Sequence, residues 1–197
     1  MGAPTTSELV TAASLTTQEL YRELLVRIGE DPTRDGLIDT PERMEKSMAF
    51  LTRGYTMNVN TVLHEALFDV DYDEMVIVKD IEFFSMCEHH LLPFFGVAHV
   101  GYLPGERIVG LSKLARVVQH CAGRPQTQER LTKQVAKYLT TRLDPRGAGV
   151  VMEAEHTCMT LRGVQARGST TVTSALLGTL RDDARCRAEF LALTSAK

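Results

Sequence analysis

The chain has 197 residues, a formal net charge of -3, 44% hydrophobic and 24% charged residues. That composition supplies a folded domain with a real core and excludes a disordered chain. The slight acidity offers no global basic field for nucleic acid or an anionic membrane, so neither partner is expected, and any anionic ligand must be held by local cations.

Residues 1–16, rich in Ser, Thr and Ala, read as a mobile tail without the apolar stretch of a signal peptide. No apolar run is long enough to span a bilayer, so a cytoplasmic location is expected. The four cysteines should then be reduced, and they are too scattered for a disulfide framework. Thr16 and Glu19 have capping-box spacing ahead of a helical stripe of Leu20, Leu24, Leu25 and Ile28. After breaks at Gly29, Asp31, Pro32 and Gly36, Thr40-Pro41-Glu42 starts a second helix that carries Met44, Met48 and Leu51 to Gly54. A shorter helix is predicted over 61–67. Strands follow over Met75–Val78, Ile81–Phe84 and Phe94–Leu103, with turns at Pro93 and Pro104-Gly105.

Two helices come next. Leu111, Leu114, Ala115, Val117 and Val118 share a face of the first, Leu131, Val135 and Leu139 a face of the second, and Gly123-Arg124-Pro125 separates them. Asp144–Gly149 reads as a loop, Val150–Met159 and Thr170–Leu177 as strands, and Asp182–Leu193 as a last helix. This order predicts an α+β domain: an antiparallel sheet with helices on one face.

The sharpest chemical feature is Cys87-Glu88-His89-His90, placed where a strand ends. Cys87 and His90 can close on one metal ion from a single turn. His156-Thr157-Cys158 lies in a predicted strand, where side chains two apart share a face, so His156 and Cys158 are expected to look into one cavity. Thiolates with imidazole in a reduced chain select zinc over calcium or magnesium. Three ligands, Cys87, His90 and Cys158, with His89 and His156 to spare, fit a catalytic zinc site better than a closed structural one. Taken alone, Cys158 reads as a small core hydrophobe; the Cys87-Glu88-His89-His90 run is what favours the metal reading. Cys121 reads as core, Cys186 is uninformative, and His64, His99 and His120 are expected to be structural.

Ser112, Lys113 and Arg116 open a helix, where free N–H groups and the dipole favour phosphate. In Gln126-Thr127-Gln128-Glu129-Arg130, a carboxylate beside a carboxamide could read the edge of a guanine, although an early glutamate is also ordinary dipole compensation. Arg162 adds a cation close after Cys158.

Together, S-M-C-E-H-H at 85–90, G-L-S-K-L-A-R at 110–116, Q-T-Q-E-R-L at 126–131, E-H-T-C-M at 155–159 with Arg162-Gly163, and T-P-E-R at 40–43 resemble the GTP cyclohydrolase I family. Val97 departs from the lysine usual there. The resemblance spans roughly Thr17 to Leu193. It implies one catalytic domain over 17–197, with N-terminal helices at 17–68 and a tunnelling-fold core at 74–193. It also implies assembly into a toroidal homodecamer with active sites between subunits. By motif position, Cys87, His90 and Cys158 would bind Zn2+, and His89 and His156 would transfer protons. Gln128 and Glu129 would hold the guanine. Ser112, Lys113, Arg116 and Arg162 would hold the triphosphate, with Arg43 reaching in from an adjacent subunit. The implied reaction opens the purine ring of GTP at C8, releases formate and yields 7,8-dihydroneopterin triphosphate, the first step towards tetrahydrofolate and other pterins. The alternative from another class is a structural zinc module binding a protein or nucleic acid. It would need a fourth protein ligand, Cys121 or His99, against which the uncommitted His89 and His156 argue, and an exposed basic face, against which the net charge argues. A zinc deaminase would need a His-x-Glu and Pro-Cys-x-x-Cys pair that the chain lacks.

Overall fold

The structure, a computed structural model, describes residues 14–58, 67–69 and 71–195. The tail expected over 1–16 lies almost wholly outside the described residues, as do His64 and all but the last residue of the helix expected over 61–67. The chain divides into two compact units, residues 1–51 and 52–197.

In the first unit, α1 (Thr17–Arg27) begins with the capping box that the sequence predicts. The Thr16 hydroxyl accepts the Glu19 N–H at 3.3 Å, and the Glu19 carboxylate accepts the Thr16 N–H at 2.6 Å. In α2 (Thr40–Leu51), Pro41 is buried in the first turn, where its missing N–H costs nothing. Gln18 of α1 donates to Glu45 of α2 at 2.7 Å. The apolar stripe is exposed at Leu20, Leu24, Ile28, Met44 and Phe50.

The second unit is built on two sheets. β1 (Leu67–Asp69) pairs with β4 (Arg107–Val109) in a small two-stranded sheet. The main sheet has the order β5-β2-β3-β6-β7, from β2 (Val76–Cys87), β3 (Pro93–Leu103), β5 (Pro125–Gln126), β6 (Gly147–His156) and β7 (Thr171–Gly178). Its long strands are all antiparallel, and β5 joins the end of β2 in parallel. The two runs predicted over Met75–Val78 and Ile81–Phe84 are one strand interrupted by a bulge. There Asp80 takes a φ of +54°, and its N–H donates to the His99 ring at 3.2 Å.

Alternation along the strands sends Phe83, Phe94, Ala98, Val100, Val150 and Met152 to one face. Helices α3 (Leu111–Ala122) and α4 (Gln128–Leu143) cover that face with Leu114, Val117, Val118, Leu131, Val135 and Leu139. Leu111 does not join them; it is exposed at the start of its helix. Cys121 is core, as expected.

The C-terminal part departs from the sequence expectation in three ways. Gly147–Gly149 is strand, not loop. Small residues are needed there because a Cβ on Gly149 would sit 2.8 Å from Leu180 and 2.9 Å from Phe190. The last helix is broken in two, α6 (Thr179–Asp182) and α7 (Ala184–Ser195), because Asp183 caps the second by accepting the N–H groups of Arg185 and Cys186. Leu180 and Phe190 pack with Leu103, Ile77, Val151 and Leu176 on the face opposite α3 and α4. Helices therefore lie on both faces, and only α3 and α4 follow the one-face expectation. The short α5 (Thr157–Thr160) links β6 to the loop before β7.

Candidate active site

Sheet register decides which residues meet. At one end of the sheet, Met86 pairs with Pro93 and Pro125, Cys87 with Gln126, Phe94 with His156, and Ala154 with Thr171. The end of β2, the start of β3, the end of β6 and the start of α4 thus converge. The turn from β2 to β3 is tight: Leu91 donates to the Cys87 carbonyl at 2.8 Å, and Cys87 donates to the Leu92 carbonyl at 2.8 Å. Leu91 holds a φ of +53°, a left-handed conformation rare for leucine, and the turn brings the His89 and His90 rings back to the Cys87 thiol.

The ligand atoms of Cys87, His90 and Cys158 lie within 4.8 Å of one another and could hold a metal ion. Cys87 Sγ is 3.7 Å from His90 Nδ1. In a tetrahedral zinc centre, with bonds of about 2.3 Å to sulfur and about 2.0 Å to nitrogen, that edge would be about 3.5 Å. The donor set and its spacing therefore fit a borderline-soft cation. Without one, burial and the neighbouring Cys87 push the Cys158 thiol up. A cation reverses that tendency and favours thiolate.

Cys158 arrives by a different route from the one its spacing predicts. β6 ends at His156, and Thr157 turns into α5 with its hydroxyl on the Pro93 carbonyl at 2.5 Å. His156 and Cys158 do face one cavity, but across a strand-to-helix junction instead of along one strand face. That cavity, of about 220 Å³, is lined by Cys87, His89, His90, Gln128, Glu129, His156 and Cys158 among others.

Gln128 is 1% exposed, and its carboxamide is committed to the protein. Its Nε2 lies 3.1 Å from the Met152 carbonyl, 2.8 Å from the Thr171 carbonyl and 3.1 Å from the Thr173 hydroxyl. Two carbonyls fix that atom as the donor, so Oε1 is the atom facing His156 Nε2 at 2.7 Å. An amide oxygen only accepts; His156 Nε2 therefore carries a proton, and the neutral ring leaves its lone pair on Nδ1. Phe94 stacks on the same ring at 4.6 Å and 4°. Burial pulls the His156 pKa below its ordinary value, with Glu129 opposing, which keeps the ring mostly neutral near pH 7. Of the pair expected at the guanine, the exposed Glu129 carboxylate has no hydrogen-bond or ion-pair partner among the described residues.

The remaining expected residues fall in three groups. Arg162 places NH1 3.2 Å from His90 Nε2, beside the metal cluster. Ser112, Lys113 and Arg116 stand on the first turns of α3 and do not line the cavity of their own chain. Arg43, in the first unit, is exposed and pairs with Asp39 at 3.0 Å. Sequence reasoning assigned nothing to Glu88 or Gln126. Glu88 accepts from Arg130 at 2.5 Å, its N–H donates to the Gln126 carbonyl, and Arg130 in turn donates to Gln126 Oε1 at 2.7 Å. The signal was present, since Glu88 sits inside the Cys-Glu-His-His run and Arg130 inside the Gln-Glu-Arg run.

The GTP cyclohydrolase I family model matches residues 17–195. The GTP cyclohydrolase 1 of Rattus norvegicus is 56% identical over 173 residues, covering 88% of this chain and 72% of that protein. That of Homo sapiens is 55% identical, with 88% and 69% covered. That of Methylococcus capsulatus is 51% identical over 180 residues, with 91% and 97% covered. Among solved structures, the apo archaeosine synthase QueF-Like matches with a TM-score of 0.46 and 16% identity, over 55% of this chain and 97% of that one.

Proposed function

The chain belongs to the GTP cyclohydrolase I family and is a GTP cyclohydrolase, and from that premise we propose how its residues divide the work. The substrate is GTP, and the products are formate and 7,8-dihydroneopterin triphosphate. The observation that carries the assignment is the Cys87, His90 and Cys158 cluster on the wall of a cavity that also presents Glu129 and His156.

Cys87, His90 and Cys158 would hold Zn2+, which when bound would supply Lewis-acid activation of water near neutral pH. Glu129 accepts from the N–H groups of the guanine edge. Gln128 contributes by holding His156, because its own amide is turned inward. With Nε2–H locked to Gln128, His156 takes and returns protons at Nδ1. His89, largely exposed beside the cluster, exchanges protons on the solvent side. Arg162, whose NH1 lies 3.2 Å from His90 Nε2 at the edge of the cluster, meets the triphosphate.

Ser112, Lys113 and Arg116 serve the triphosphate at the cavity of an adjacent copy, as does Arg43. Their absence from their own chain's cavity supports this arrangement. A ring-shaped homodecamer fits three further features: the exposed apolar faces of α1 and α2, the stacked and exposed Phe84–Phe95 pair, and the outer edge of β7, which pairs only with β6 among the described residues. No helix among the described residues is long and apolar enough to cross a membrane; a cytoplasmic location accords with that.

The test incubates purified protein with GTP and follows formate release and pterin fluorescence after oxidation, with Cys158→Ser alongside. Turnover in the wild type, lost together with bound metal in the variant, is the expected result. Full turnover in a metal-free variant would overturn the metal assignment.

A further inference from the structure

A second cavity, of about 320 Å³, opens between the end of α3 and the middle of α4, and it shares no lining residue with the cavity at the metal cluster. Its wall carries two cations, Arg124 and Lys137, and no carboxylate. Neither cation pairs with an acid among the described residues. His120 also lines it, only 5% exposed, and its Nδ1 has no hydrogen-bond partner among the described residues. Arg124 NH2 approaches His120 Nε2 at 3.5 Å, and a guanidinium can only donate. The ring proton therefore sits on Nδ1, and a buried donor is left without an acceptor. Burial and the Arg124 charge both keep this ring neutral. Arg124 Nε donates to the Cys121 carbonyl at 3.4 Å, and its guanidinium lies 6.0 Å from the Tyr55 ring centroid. Two cations without an acidic partner and an orphan N–H still leave the wall short of negative charge, beside the flat ring of Tyr138.

We propose that this cavity binds a small oxyanion ligand, a carboxylate or a phosphate, and that its occupancy modulates the metal site. The route is a chain of polar contacts. Gln134, on the cavity wall, accepts from Gln126 Nε2 at 2.8 Å, and Gln126 Oε1 accepts from Arg130 at 2.7 Å. Arg130 pairs with Glu88, which stands between Cys87 and His89. An anion drawn between Arg124 and Lys137, at the middle of α4, thus bears on the turn that carries the candidate metal ligands beside the start of that helix. The binding half of the proposal stands without the catalytic assignment; the modulation half rests on it.

The experiment titrates inorganic phosphate and, separately, benzoate into the metal-loaded, full-length protein by calorimetry, without GTP, in the wild type, Lys137→Gln and Lys113→Gln. Lys137 is exposed on α4, and its replacement leaves the core intact. The expected result is saturable binding of at least one probe, kept in Lys113→Gln and weakened roughly tenfold in Lys137→Gln, as loss of one charge-assisted contact predicts. Hydrogen exchange should slow in peptides over 117–126 and 134–142. Which probe binds distinguishes a carboxylate from a phosphate ligand. No saturable binding, or binding lost in Lys113→Gln and unchanged in Lys137→Gln, overturns the site. The rate of GTP opening at subsaturating GTP should change at least about twofold with the bound probe in the wild type but not in Lys137→Gln. Binding with an unchanged rate overturns the modulation while leaving the site.

Discussion

Gln128 shows what one buried side chain can decide. Sequence chemistry pairs it with Glu129 as a reader of guanine, yet its amide donates to Met152 and Thr171 and accepts from His156. With His156 in the proton-transfer role proposed above, Gln128→Leu should lower kcat about 10–100-fold, the usual cost of losing a partner that orients such a histidine, with KM changed much less. Gln128→Glu keeps an acceptor for His156 and should recover part of kcat; steady-state kinetics on both variants checks this. His120 offers a pH prediction. Burial first, and Arg124 second, hold its folded pKa below the ordinary value of about 6.5. As pH falls, the unfolded chain takes the proton first, so the stability that the neutral ring contributes is present above about pH 6.5 and is lost below it. Urea midpoints at about pH 7.5 and about pH 5.5 should differ more in the wild type than in His120→Asn.

The elements are held by features of unequal legibility. Thr16 and Glu19 announce the start of α1 by spacing alone, because a capping box is local; Thr16→Ala should cost about 1 kcal/mol by thermal denaturation. The start of β6 was illegible for the opposite reason. Gly147 and Gly149 resemble a loop until Leu180 and Phe190 are seen against them. Gly149→Ala would push a Cβ to within 2.9 Å of Phe190 and should destabilise by about 1–3 kcal/mol through displacement of α7. Leu131→Ala, in the layer between α4 and the sheet, should cost about 2–5 kcal/mol, and denaturant midpoints give both values. The junction from β6 to α5 was missed because Thr157 breaks the strand with a long-range bond to Pro93, which no local pattern foreshadows.

For the whole molecule, assembly and metal are the terms to measure. Light scattering after size exclusion should give about 220 kDa for ten chains of 21.9 kDa. Introducing a charge at the Phe84–Phe95 face with Phe84→Glu, where Phe84 is 64% exposed, should lower that mass if the face is covered in the assembly. Removing the metal with a chelator should abolish turnover and restore it on adding Zn2+.

The sequence by itself determined the elements whose signals are local, the Cys87, His90 and Cys158 candidates, and the family. Residue type selects the metal chemistry, and short spacings fix what neighbours can share. Tertiary structure alone decided which nitrogen of His156 is free, that Gln128 serves a histidine, that Cys158 enters from a helical turn, and that His120 is buried without an acceptor. Each depends on contacts between segments far apart in the chain, set by the register of β3 on β6 and the packing of α4 on the sheet. Spacing along a sequence carries no record of those distances.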